Sequence, residues 1–298
     1  KPTIGTTEEK QQRALALVEA LLSHSSSHIA HKKMESMVGV LGDVAQVVLR
    51  GTMHLCGFYA AMRKRDANDM VPLTAWLRRN AEWWRRYLAS GAPRQRLLIL
   101  PPLLPKKYCP HTDASTSFGF GGFWIKGDEC FYIQGEWTAA EKALINDFEM
   151  GINFLEAATC GFLLVVARGN FEGKHFKFYC DNQCTVQILT SYKTRTLGLA
   201  SQGELVDMCL SKDGLESDFV WLKSEDNPES DALSRGWDGL VEFKQLIVSQ
   251  YGVSKFVYLQ VPPEVRDLSR CLETFREHPH WCVADGVAEE AEATPQGM

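Results

Sequence analysis

The sequence predicts an α/β domain preceded by a helical region. In the first third, apolar residues recur at helical spacing, whereas after about residue 105 short apolar runs alternate with helical stretches. The 298 residues are 45% apolar and 23% charged, which is typical of a globular protein with a sizeable core. We expect three segments: a helical region at 1–105, the α/β domain at 106–240, and a C-terminal helix with an acidic, disordered tail at 241–298.

The helical region begins with a capping-box spacing. Thr6 and Glu9 precede the apolar-periodic segment "QQRALALVEALL", and a longer periodic segment starts at residue 32. "LTAWLRRNAEWWRRYL", residues 73–88, places its indoles and leucines on one stripe of a helix. Four arginines lie off that stripe: Arg78, Arg79, Arg85 and Arg86. The proline-rich stretch 91–107 has the composition of a linker.

Charge is distributed unevenly along the chain, whose net charge is −5. Between Arg63 and Lys107 there are eleven Lys and Arg residues against three acids, a local surplus of +8. The last sixteen residues carry four acids and no base. The basic block is either a solvated face or a surface that binds phosphates through counterion release.

The cysteines indicate a reducing compartment. Nine cysteines are scattered without CxxC pairs, which is typical of buried thiols rather than of disulfides or zinc sites. There is no secretory-signal pattern, and the charge-poor stretch 157–167 is too short to span a bilayer. We expect an intracellular protein of the cytoplasm or nucleus with no membrane partner. Because the chain starts at Lys1 without Met, we also expect a piece of a longer polypeptide.

Strands and helices alternate in the second segment. An extended segment ending at Asp113 is followed by four apolar runs with strand character, at 121–126, 130–134, 175–180 and 218–223. Helical stretches are predicted at 139–168, 183–191, 200–212 and 229–235.

Besides Asp113, which ends the first extended segment, three other acids occupy notable positions in this alternation. Glu156 is the only charge in "GINFLEAATCGFLLVVA"; a buried carboxylate is costly unless it is paired or binds a metal, and the alternative is a boundary residue that reaches water. Asp181 follows the strand "HFKFYC", where it is either a site residue or a helix N-cap. Asp231 lies in the first turn of a helix, where on its own it would only stabilise the helix dipole.

Taken together, the four acids predict a metal centre. Four converging carboxylates would raise one another's pKa values, and hard divalent cations, which prefer carboxylate oxygens, remove that repulsion. Two such ions about 4 Å apart stabilise the attacking and leaving oxygens of phosphodiester cleavage. We therefore expect a pair of hard divalent cations on Asp113, Glu156, Asp181 and Asp231.

The order of "TDAS…GFGGFW", "GEWTAAE…INFLEAA", "YCDNQ" and "NPESDALSRG" resembles the ribonuclease H domain of retroelement reverse transcriptases, especially those of tyrosine-recombinase (DIRS-like) retrotransposons. The resemblance covers roughly 106–240 and implies an RNase H-like mixed five-stranded sheet flanked by helices. It implies an endonuclease that cuts the RNA strand of RNA–DNA hybrids, with the four acids as catalytic ligands of two Mg²⁺ ions, for which Mn²⁺ could substitute. It also implies nucleic-acid contacts by Ser115, Asn153, Asn182 and Gln183.

The helical region is similar to the thumb and connection segment that follows a polymerase palm. In that role Arg78, Arg79, Arg85 and Arg86 would bind the phosphates of the hybrid, and the palm and fingers would lie upstream on the same polypeptide. No aromatic-x-Asp-Asp signature of a palm occurs in this chain. The resemblance further predicts that Gly119, Gly121 and Gly122 form a tight turn and let a nucleic-acid backbone approach closely.

Two alternatives remain open at this stage. Many ribonucleases H carry a His in the loop before the last acid, whereas here the loop reads "LKSEDNPES". The first alternative is a host protein derived from a retroelement, which keeps the fold as a scaffold or nucleic-acid-binding subunit of a larger assembly. The second is a DNA-directed nuclease or recombinase of the same fold superfamily.

Overall fold

A computed structural model describes residues 3–48, 51–63, 65–90, 95–97, 102–147, 151–167, 170–171, 174–191, 194, 196–212 and 214–268. The strands are β1 (Thr3–Gly5), β2 (His28–Ala30), β3 (Met70–Pro72), β4 (Gln95–Leu97), β5 (His111–Ala114), β6 (Gly119–Lys126), β7 (Glu129–Glu136), β8 (His175–Cys180), β9 (Glu216–Trp221) and β10 (Lys255–Tyr258). The helices are α1 (Glu8–Leu22), α2 (His31–Ala45), α3 (Cys56–Met62), α4 (Ala75–Ala89), α5 (Ala139–Asp147), α6 (Gly151–Ala167), α7 (Gln183–Ser191), α8 (Leu197–Lys212), α9 (Pro228–Arg235), α10 (Gly239–Tyr251) and α11 (Pro263–Arg266). Short 3₁₀ helices occupy Gly51–Leu55, Lys106–Tyr108 and Ser224–Asp226. The acidic tail lies outside the described residues, as do parts of the proline-rich stretch.

Helices α1 to α4 enclose a core of their own. Trp84 and Phe58 are fully buried in it, and the indole N–H of Trp84 donates to the carbonyl of His54 at 3.0 Å. Two small antiparallel ladders, β1 with β4 and β2 with β3, join the ends of these helices. The first helix starts one residue later than its sequence predicts, because the hydroxyl of Thr7, and not that of Thr6, accepts the capping bond.

The second region is built on a mixed six-stranded sheet in the order β10-β7-β6-β5-β8-β9. β6 is antiparallel to both of its neighbours, whereas β5, β8 and β9 run parallel to one another. The α/β class is confirmed, and residues 106–240 contribute the five expected strands, β5 to β9, but the sheet as a whole has six. The additional strand, β10, pairs parallel to β7 and lies beyond residue 240. Its "KFVY" is a short edge strand with no fully buried side chain, so it lacks the apolar run that marks a buried strand.

Helices cover both faces of the sheet. α6 and α8 pack on one face around Phe154 and Phe162, and α9 and α10 cover the other around Phe243 and Leu233. α6 lies between the sheet and α8, which explains why its seventeen residues hold only one charge. The single helix predicted over 139–168 is two helices, α5 and α6; the second begins at Gly151, whose φ of +51° favours glycine.

A buried ion pair joins the helical region to the sheet domain. Arg79 Nη2 on α4 lies 3.1 Å from Glu204 on α8, and both side chains are less than a tenth exposed. Asn80 also donates to Glu204, at 3.3 Å, while its own amide oxygen accepts the N–H of Gly57 at 2.8 Å. Arg79 therefore lies inside the protein and not on a surface that could meet a phosphate. The prediction of its phosphate contact is wrong, because periodicity placed it off the stripe that packs on α1 without revealing that α8 covers that side.

None of the helices within the described ranges has the length and apolar content needed to cross a bilayer.

Candidate metal centre

An open cleft of about 510 Å³ lies at the carboxyl ends of the neighbouring parallel strands β5 and β8. The four acids predicted as metal ligands all line it: Asp113, Glu156, Asp181 and Asp231. They come from β5, from α6, from the residue after β8 and from α9, so the fold gathers them from four separate elements. Carboxyl ends of parallel strands are a usual location for sites in α/β proteins.

Asp113 lies in β5 with only 5% of its surface exposed. Burial raises the pKa of Asp113 to about 7, and the negative charge of Asp181 adds to the shift. The hydroxyl of Ser234 donates a hydrogen bond to Asp113 Oδ2, which lowers the pKa in part and fixes the rotation of the carboxylate.

Glu156 is the most deeply buried of the four acids, at 2% exposure, so it does not reach water as a boundary residue would. Burial raises the pKa of Glu156 well above its ordinary value, and Cys180 and Asp113 add to the shift. The thiol of Cys180 donates to Glu156 Oε2 at 3.6 Å. A carboxylate in such a place is costly unless a cation or a proton neutralises it.

Asp181 follows the last residue of β8 and is held at two points. The hydroxyl of Ser224 donates to Asp181 Oδ2 at 2.7 Å, and the indole N–H of Trp221 donates to its carbonyl at 2.8 Å. Helix α7 starts two residues later and is capped by Asn182, whose Oδ1 accepts the N–H of Thr185 at 2.9 Å. The N-cap interpretation therefore applies to Asn182, and the carboxylate of Asp181 faces the cleft.

Asp231 lies in the first turn of α9 and contacts a cation. Arg235 Nε donates to Asp231 Oδ1 at 2.8 Å, one helical turn along, and both side chains reach solvent. Burial raises the pKa of Asp231, and the nearby Arg235 opposes that shift. This is the only one of the four acids whose hydrogen bonds, within the described structure, include one from an arginine.

Helix α9 packs close to the cleft because the part of β6 that it covers is rich in glycine and lacks side chains there. A Cβ added to Gly121 would lie 2.2 Å from Leu233 Cβ and 2.9 Å from the backbone nitrogen of Ser234. Gly119 and Gly122 are likewise strand residues whose missing Cβ atoms would meet Gly135 and Thr112. The prediction of a glycine turn open to nucleic acid is wrong: these glycines permit close packing within the protein, and none has a positive φ.

Two of the four acids belong to a group that could hold a metal ion. Oxygen atoms of Glu156 and Asp181 and the sulfur of Cys180 lie within 4.8 Å of one another, so this group could hold a metal ion. A hydrogen bond with Cys160, together with burial, raises the pKa of the Cys180 thiol well above its ordinary value. Without a metal the thiol is therefore a donor to Glu156, and the carboxylate oxygens of the group are the ligand type that hard divalent cations prefer.

The residues predicted to contact nucleic acid divide into two groups. Ser115 and Asn182 line the cleft beside the acids. Asn153 and Gln183 do not line it; the carbonyl of Asn153 accepts the hydroxyl of Thr185 at 3.1 Å, and Gln183 is exposed at the start of α7.

The arginines of α4 differ in their surroundings. Arg79 is buried, as described above, and Arg85 is half-buried with its guanidinium paired to Glu82 at 2.5 Å. Arg86 is exposed and Arg78 is half-buried. The basic face of this helix is therefore smaller than the sequence predicts.

Several residues that shape the cleft were not predicted from the sequence. Ser234 and Arg235 lie three and four residues after Asp231, which is the spacing of neighbours on one helix face, so "DALSR" did contain that signal. Ser224 carries no such signal, since it meets Asp181 across 43 residues of sequence. Cys180 alternates with apolar residues along β8, a pattern that predicts a core residue and not a residue of the cleft.

The pKa of Asp113 predicts how stability depends on pH when a chelator is present. The folded protein holds this proton up to about pH 7, whereas the unfolded chain releases it near the ordinary value of 3.8. Raising the pH through that window therefore favours unfolding, by a few kcal/mol in total. Thermal unfolding between pH 4 and 8 should show a falling melting temperature that is flatter in Asp113→Asn. Equal slopes in the two proteins would contradict the prediction, and Asp226→Asn, an exposed acid outside the cleft, serves as the control.

No family model, curated protein or solved structure matches the chain. The residues that line the cleft, and the order of the motifs that supply them, are therefore the observations from which we infer a function.

Proposed function

We propose that the chain is an endonuclease that hydrolyses the RNA strand of RNA–DNA hybrids, as the ribonuclease H part of a retroelement reverse transcriptase. The observation that carries this proposal is the single cleft lined by Asp113, Glu156, Asp181 and Asp231, in the order and on the types of element expected from the motifs. The five strands β5 to β9 also form a mixed sheet flanked by helices, as the resemblance implies.

The acids suit two-metal chemistry. Two Mg²⁺ ions, when bound, would supply an activated water and charge stabilisation for the leaving oxygen of a phosphodiester. The role of this chain is to hold the ligands still. Ser234 and Ser224 each fix one carboxylate oxygen, on Asp113 and Asp181, and Arg235 holds Asp231. Such supporting hydrogen bonds orient metal ligands and are worth about 10- to 100-fold in affinity or activity.

The rim of the cleft provides groups that can recognise ribose. Ser115 offers a hydroxyl and Asn182 a side-chain amide whose oxygen already caps α7. A 2′-hydroxyl both donates and accepts hydrogen bonds, and it is what lets a protein distinguish RNA from DNA at a given site. Selective cleavage of the RNA strand requires such contacts beside the metal ligands.

One observation favours the host-derived scaffold as the second candidate. The loop before Asp231 lacks a His and exposes Glu225 and Asp226, whose charges repel a phosphate backbone. A scaffold would keep the fold and bind hybrid without cutting it.

The test is a cleavage assay on end-labelled substrates. In Mg²⁺ or Mn²⁺ the chain should cut the RNA strand of a hybrid, leave duplex DNA and duplex RNA intact, and become inactive when the metal is chelated. Binding of hybrid without cleavage in either metal would refute the nuclease proposal and favour the scaffold. Cleavage of duplex DNA would instead indicate a DNA-directed nuclease.

A further inference from the structure

Two tryptophans stand exposed beside the acidic cleft. Trp221, the last residue of β9, is 41% exposed, and Trp237, two residues after α9, is 56% exposed. Large aromatic side chains contribute most of their binding energy by being buried, so an indole this exposed has apolar surface available to a partner. Neither indole is itself a predicted metal ligand, although Trp221 also helps to hold Asp181.

The indole N–H of Trp221 holds this residue beside the cleft. Its indole N–H donates to the carbonyl of Asp181 at 2.8 Å, which positions the ring beside a predicted metal ligand. Lys223, two residues later, carries an ammonium group 3.4 Å from Glu225, in an ion pair whose side chains are 62% and 74% exposed.

Trp237 occupies the other rim. Its ring packs edge-on against Phe118, with centroids 5.9 Å apart, and Phe118 belongs to the turn whose Ser115 and Thr116 line the cleft. Arg235, two residues before Trp237, has a side chain that is 69% exposed and is paired with Asp231 at 2.8 Å. Each rim therefore combines an exposed indole with a cation two residues away.

The sheet sets the spacing between the two rims. Phe118 adjoins β6, Trp221 ends β9, and β5 and β8 lie between them with Asp113 and Asp181 at their ends. Three strand spacings of about 4.8 Å separate β6 from β9, or about 14 Å. Since a nucleic-acid strand rises about 3.4 Å per step, that distance spans about four steps.

We infer that Trp221 and Trp237 are binding platforms for an RNA–DNA hybrid, one on each side of the acidic cleft. Their rings pack against the sugar faces of the nucleic acid, and Lys223 exchanges its exposed ion pair with Glu225 for a phosphate. The inference rests on the proposed function and adds the surface that aligns the substrate across the carboxylates. The hybrid is the occupant because it is the substrate of the proposed function, and its sugars and phosphates recur at regular intervals beside the cleft.

The experiment measures binding of a fluorescently labelled RNA–DNA hybrid by anisotropy in chelator, where cleavage does not occur. Trp221→Ala and Trp237→Ala should each weaken binding about tenfold, the effect of losing roughly 60 Å² of buried apolar contact. Trp221→Phe and Trp237→Phe keep a flat apolar face and should recover most of the affinity. Thermal unfolding of each variant checks the fold, and Tyr258→Ala, at the far edge strand β10 and 49% exposed, is the matched control.

The outcomes separate this inference from the proposed function. If the wild type binds and cuts hybrid and the folded alanine variants bind it as tightly, the platforms are refuted and the nuclease stands. If phenylalanine weakens binding as much as alanine does, ring packing is not the interaction, and the inference is refuted. If the wild type binds no hybrid at all, both the inference and the proposed function fail.

Discussion

Asp181→Asn should abolish cleavage of the RNA strand, lowering the rate at saturating Mg²⁺ by at least about 100-fold. Even residues that only support metal ligands cost about 10- to 100-fold when changed, and Asp181 contributes a charged oxygen to the cleft itself. The substitution keeps the shape of the side chain and an oxygen that can accept the hydrogen bond of Ser224. It also removes one of the charges that raise the pKa of Asp113, so the metal-free protein should be no less stable.

The matched control is Asp226→Asn, the same chemical change at an exposed acid outside the cleft. Single-turnover cleavage of an end-labelled hybrid, with binding measured separately in chelator, distinguishes lost chemistry from lost affinity. An Asp181→Asn protein that cleaves within about tenfold of the wild type would exclude this carboxylate as an essential ligand.

Arg79→Met should lower the free energy of unfolding by about 3–5 kcal/mol, the usual effect of removing one partner from a buried ion pair. Glu204 would keep its charge, with its side chain only 9% exposed and Asn80 as a neutral donor. The double variant Arg79→Met with Glu204→Gln removes the charge as well and retains an acceptor for Asn80. It should recover most of the lost stability.

Denaturant unfolding of the wild type, Arg79→Met and the double variant measures this effect. Arg86→Met, an exposed arginine of the same helix, is the control and should change the free energy of unfolding by less than about 0.5 kcal/mol. If Arg79→Met were as mild as Arg86→Met, Arg79 would not be acting as the partner of a buried charge, and its role as a surface contact would have to be reconsidered.

Sequence patterns predicted the α/β class and the element on which each acid lies. They succeeded where local chemistry and tertiary environment agree: Asp113 and Asp181 occur at strand ends, and Glu156 is the only charge on a helix packed on two sides. Convergence of the acids was inferable because carboxyl ends of parallel strands meet at one edge of a sheet.

The failures concern contacts that lie far apart in sequence. Periodicity predicts which side of α4 packs on its own bundle, but not that α8 arrives from 125 residues away to cover Arg79. Ser224 meets Asp181 only because β8 and β9 are neighbours. The edge strand β10 is too short and too exposed to show an apolar run. Each of these features depends on which elements become neighbours in the fold. The local hydrophobic periodicity of a single sequence does not contain that information.

Because α9 packs so closely on β6, the cleft is sensitive to substitution of a residue that does not line it. The nearest atoms to a methyl group at Gly121 would include the backbone of Leu233 and Ser234, which cannot rotate away as a flexible side chain could. Asp231 and Ser234, whose hydroxyl orients Asp113, both lie on that helix. One added carbon would therefore displace a predicted metal ligand and a positioning donor together. A lineage that keeps this cleft must therefore preserve, besides its carboxylates, a position that bears no functional group at all.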